Sequence, residues 1–172
     1  CTADGKGPDN PDVPARAFVD KHQIVHLIAS CHTSRFGTGP SLLNTKHNCS
    51  VAFNSKYDSS PRMFQDNEWI DATYAVNDSD VVFGLIHDEY HGYQHENCGM
   101  SPWRKGFCWM VALTAAVSRD GGYSWQHLHP APDHLVAAVP YPYVNATAWF
   151  GWGDTGGIIR NPLDGYFYTT AH

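Results

Sequence analysis

Three stretches of the chain share one order of apolar and polar positions: a short apolar run, a polar turn, then a longer apolar run. They read AFV-DKHQ-IVHLIAS (17–30), YAV-NDSD-VVFGLIH (74–87) and IIR-NPLDG-YFYTTAH (158–172). Each predicts a hairpin, because Asp, Asn or Gly occupies the turn and β-branched or aromatic residues flank it. The second stretch continues through a loop at 91–107 into WMVALTAAV, the turn SRDGGYSW and then WQHLH. That order predicts four antiparallel strands near 70–76, 81–90, 109–117 and 124–128. No apolar stripe at helical spacing lasts ten residues, and Pro and Gly punctuate the chain throughout. The expected fold class is all-β, with four-stranded antiparallel meanders recurring along the chain.

The turn at 118–125 carries a further regularity. Ser118, Asp120, Gly122, Ser124 and Trp125 fit S-x-D-x-G-x-S/T-W at every position. The chemistry of such a turn is readable: Asp120 accepts from turn N–H groups, Gly122 takes a positive φ, and Trp125 packs back on the sheet. This pattern resembles the Asp-box of sialidases and related β-propellers. With VPARAFVDKHQIVHLIAS, NEWIDATYAVNDSDVVFGLIHDEYHG and GGIIRNPLDGYFYTT, most of residues 12 to 172 are similar to a sialidase-like or five-bladed glycosidase-like propeller. The resemblance implies a funnel-shaped site on one face, lined by inner strands and facing a carbohydrate. It divides the chain into a polar tether at 1–14 and a partial β-propeller at 15–172, about two to three blades. A blade takes roughly 40 to 50 residues and a ring needs at least four, so the missing blades are expected from the rest of a longer chain or from other subunits.

Composition narrows the partners. Apolar residues make up 42%, aromatics 13% and charged residues 16%, with a net charge of −6 and no Lys/Arg run. Nucleic acid is excluded as a partner, because neutralising phosphates needs a basic surface. No run approaches the roughly 18 to 20 apolar residues of a membrane span. Of the five Cys, Cys31 and Cys49 flank one loop and Cys98 and Cys108 another, which predicts two local disulfides with Cys1 left over. Three N-x-S/T sequons, at Asn48, Asn77 and Asn145, fit a secreted glycoprotein. Cys1, heading a polar stretch, also suits a lipid-anchored cell-surface tether.

Candidate chemistry centres on HDEYHGYQHENC, residues 87–98. Glycoside hydrolysis needs two carboxyl groups in different environments. Asp88 and Glu89 are adjacent on a strand and so face opposite ways; at most one serves a given site. Asp71, in WIDATYAV, is the expected second carboxyl, and acids at the start of inner strands in the resembled glycosidases support it. His87 and His91 are expected near the substrate. Sialidases hold a substrate carboxylate with several arginines, and Arg16, Arg35 and Arg160 lie at inner-strand candidates; the Tyr/Glu nucleophile pair of that family has no matching motif here. His87, His91 and His95 lack the zinc-protease spacing, and no phosphate-cradling glycine loop or nucleophile elbow is present, so neither metal nor cofactor is expected. Trp149, Phe150 and Trp152, in YPYVNATAWFGWGD, suit either sugar stacking or packing between blades. The expected function is a carbohydrate-active, glycoside hydrolase-like propeller; the alternative is a non-catalytic glycan-binding or assembly-forming extracellular module.

Overall fold

A computed structural model of the chain describes residues 11–99, 108–145 and 149–171. Its regular structure is almost entirely β. The first sheet is an antiparallel meander of β1 (Arg16–Val19), β2 (Val25–Ala29), β3 (Thr33–Gly39) and β4 (Lys46–Asn54). The second holds β5 (Asn67–Ala75), β6 (Val82–His91) and β7 (Trp109–Ser118) in antiparallel order. Three short segments share the outer side of β7: β8 (Gln126–His127) and β9 (Leu135–Ala137) antiparallel, and β10 (Trp149–Gly151) parallel. A separate hairpin joins β11 (Ile159–Arg160) to β12 (Phe167–Tyr168). Two 3-10 turns, Leu42–Asn44 and Gly92–His95, complete the regular elements among the described residues.

All three expected hairpins are present, and the antiparallel order of β5, β6 and β7 matches the sequence pattern. The first sheet holds two strands beyond the expected pair. The predicted strand at 124–128 shortens to two residues, and β9 and β10 fill the rest of that edge.

The two sheets pack face to face. Phe18, Ile28, Phe36 and Phe53 of the first meet Ile70, Val82, Ile86, Ala116 and Trp125 of the second in one apolar cluster. The turn after β7 forms the junction. Ser118 Oγ accepts from Gly122 N at 2.8 Å and donates to Asp120 at 2.7 Å. Asp120 also accepts from Ser124 N at 2.9 Å and Ser124 Oγ at 2.5 Å. Gly121 and Gly122 have φ of +79° and +102°, a region open to glycine without steric cost. Trp125 donates its backbone N–H to Ala52 of the first sheet at 2.9 Å. Its ring lies over Gly84, where a Cβ would come within 2.8 Å of it.

One disulfide closes the loop after β6, between Cys98 and Cys108, and is compatible with an extracellular location. The expected Cys31–Cys49 bridge is absent. Register explains this: Thr33 faces Asn54 while Phe36 faces Asn48, so the two cysteines lie at different levels of the hairpin. Their separation along it exceeds roughly 10 Å at about 3.3 Å per residue, beyond the reach of a disulfide of about 7 Å. No helix among the described residues is long and apolar enough to cross a membrane.

Candidate functional site

Strand period places the chemistry of β6. His87, Glu89 and His91 alternate onto one face, and Asp88 and Tyr90 onto the other. Glu89 accepts from His87 Nε2 at 2.8 Å and from His91 Nε2 at 2.7 Å. Burial alone would raise its carboxyl, but the two imidazoles override that and hold it down at about 2. His87 is also desolvated, yet Glu89 and the nearby Asp154 and Asp71 push it above its ordinary value. The result is a carboxylate kept ionised between two imidazole donors.

This face opens into a cleft of about 540 Å³. Trp69 and Trp109 wall it, Trp149 lies at 47% exposure beside them, and Asp12 and Asp154 add two more carboxylates. Asp154 stands across His87 from Glu89, 3.7 Å from Nδ1. His91 stacks on Trp109 with ring centres 4.2 Å apart, and Trp69 meets His87 edge to face at 5.7 Å. The indole N–H groups of Trp69 and Trp109 are buried and have no acceptor among the described residues. Aromatic walls and carboxylates form a surface complementary to a polyhydroxylated ring.

The other expected site residues have different surroundings. Asp71 occupies a bulge in β5, between Ile70 and Ala72, where the extra residue re-aims its side chain. It is fully buried and accepts from the Arg16 guanidinium at 3.3 Å and from Thr155 Oγ1 at 2.7 Å, as well as from Thr155 N. Arg16 also donates to the backbone oxygens of Asp71 and Thr155. This knot ties β1, β5 and the segment before β11 together. Arg35 is buried in β3, and Arg160 is exposed on β11, so the three arginines have three separate environments. Among the sequons, Asn77 and Asn145 are exposed; Asn48 is partly buried and its Oδ1 accepts from Ser50 N.

On the opposite face of β6, Asp88 is fully buried. It accepts from Asp66 N at 2.8 Å, and burial, with Glu68 nearby, pushes its carboxyl well up. Glu68, its partner across the β5–β6 ladder, is buried too, and its carboxyl rises to about 8. Glu68 Oε1 lies 2.5 Å from His127 Nε2, and its Oε2 accepts from Lys56 N at 3.0 Å. Burial, with Lys56 close by, brings His127 down to about 4. Sequence reasoning missed this cluster, since Glu68 and His127 stand on strands far apart in the chain. It also missed Asp12, Asp154 and Trp69, contributed to the cleft by three separate segments.

Comparison of the chain with protein-family models, with curated proteins and with solved structures found no match.

Proposed function

We propose that the cleft beside Glu89 binds a glycan, and that the two face-packed meanders are consecutive blades of a β-propeller, with β11 and β12 opening a third. The observation that supports the reading most is Glu89 itself, an ionised carboxylate between two imidazoles at the wall of a tryptophan-lined cleft. Stacking of sugar rings on Trp149 and Trp109 would supply affinity. For the propeller reading, the support is the junction of β1 with β5 through Arg16 and Asp71, which sets the first strands of the two sheets side by side, as inner strands of adjacent blades are.

A hydrolytic version uses Glu89 as the base or nucleophile, since a group held near 2 stays ionised at working pH and cannot be the acid. Asp154, across His87, is then the second carboxyl. Asp71 and Asp88 serve the fold in this reading. The deciding experiment is an oligosaccharide panel, scored for binding by calorimetry and for hydrolysis by reducing ends, on wild type, Trp149→Ala and Glu89→Gln. Trp149→Ala should weaken binding about tenfold or more; Glu89→Gln should abolish any turnover. Unchanged binding in both variants, or no glycan bound by wild type, overturns the proposal.

A further inference from the structure

The cluster on the far face of β6 has the composition of a metal site. Glu68 comes from β5, His127 from β8 and His134 from the turn before β9. Each offers one ligand atom, and the three atoms lie within 4.8 Å of one another. We propose that Glu68, His127 and His134 bind one divalent cation of the zinc class.

The state of His134 is the second, independent observation. Its ring is 1% exposed, and Nε2 lies 2.9 Å from the backbone oxygen of Phe64. A carbonyl only accepts, so Nε2 carries the proton and donates, which leaves Nδ1 as a bare lone pair. Nδ1 is buried and has no partner among the described residues. An unmet acceptor inside a protein is costly, and an imidazole whose outer N–H is fixed by a backbone carbonyl is the arrangement that orients a metal-bound histidine. Glu68 is oriented in the same manner, through the Lys56 N–H on its other oxygen. His127 brings its ring within 4.2 Å of the His134 ring.

The donor set selects the ion. Two imidazoles and one carboxylate are borderline ligands that suit zinc, cobalt or nickel better than calcium or magnesium. Ligand bonds of about 2.0 to 2.2 Å set tetrahedral donors roughly 3.3 Å apart. The close Glu68–His127 pair would therefore open slightly and the wider separation close, by side-chain rotation alone. Three protein ligands leave a fourth position, and His127 also lines a second cleft, of about 720 Å³, with Phe53, Lys56 and Gln65. That cleft would admit a water or a ligand oxygen to the ion. This site is separate from the one beside Glu89 and stands or falls independently of the glycan reading.

The test is titration of chelator-treated full-length chain with Zn²⁺ by calorimetry and with Co²⁺ by visible absorption. One equivalent of Zn²⁺ should bind at micromolar or tighter Kd, and Co²⁺ should give the intense bands of four-coordination. His127→Gln and His134→Gln should each weaken binding by a hundredfold or more, while His22→Gln, at an exposed histidine, should not. Should either site variant fail to fold, the cobalt spectrum of wild type still decides. Weak octahedral bands, millimolar affinity, or loss of binding with His22→Gln alone would overturn the proposal.

Discussion

Arg16 and Asp71 are partners: the guanidinium of one reaches the carboxylate of the other at 3.3 Å, and Asp71 has no exposed side-chain surface. Asp71→Asn keeps the shape but leaves Arg16 against a neutral group at the junction of the sheets. Urea unfolding should show a loss of about 3 kcal/mol, with glycan affinity of the folded fraction close to wild type. Wild-type stability combined with lost binding would instead make Asp71 a ligand-contacting group.

The Glu89 cluster predicts a stability window in pH. Burial would raise Glu89, but its two imidazole donors depress it from 4.5 to about 2, so its contribution is complete above pH 4.5 and is lost as pH falls toward 2. His87, desolvated yet raised above 6.5 by Glu89, contributes fully below pH 6.5, and that share is lost as pH rises through its elevated value. The Tm difference between wild type and Glu89→Gln should therefore peak between about pH 4.5 and 6.5. A difference that does not vary with pH would contradict the pairing.

Two neighbouring glycines should respond unequally. At Gly122 an added Cβ would stand 2.3 Å from Phe18 Cζ, on top of a φ of +102°. Gly121→Ala meets only ordinary contacts at φ +79° and should cost about 1 kcal/mol in backbone strain. Gly122→Ala adds a clash in the core and should cost about 3 kcal/mol. Thermal melts of the pair would reveal it; equal losses would show that the turn does not seat on the first sheet.

The disulfide between Cys98 and Cys108 spans a sequence separation of 10. Replacing both cysteines with serine should lower stability by about 3 kcal/mol through the released loop. Because Cys108 precedes the cleft residue Trp109, glycan affinity should fall as well. Retained affinity at lower stability would limit the bridge to a stabilising role.

Hairpins were readable because each is local: turn residues and their flanking apolar runs are neighbours in sequence. β3 and β4 were not, since TSRFGTG and KHNCSVAFN are polar and largely lack the alternation that marks a half-buried strand. The outer side of β7 was also hidden, because its partners come from 126–127, 135–137 and 149–151. At the site, period-two spacing was enough to separate Glu89 from Asp88. Nothing local announced that Asp12 and Asp154 would join Glu89, or that His127 would meet Glu68. Asp71 was expected as the second carboxyl of the site, and only the three-dimensional contacts with Arg16 and Thr155 revealed that it ties β1, β5 and the segment before β11 together.

The patchwork partner of β7 also governs how this protein meets other chains. An uncovered strand offers a continuous ladder of N–H and C=O groups on which a foreign strand can add. Here that ladder is used up by three short pieces with different directions and register, so no single extended segment can displace them without dismantling three separate connections. Lateral sheet growth on this side is blocked at its template, which leaves faces and clefts, rather than backbone, as the surfaces through which that side of the molecule can be recognised.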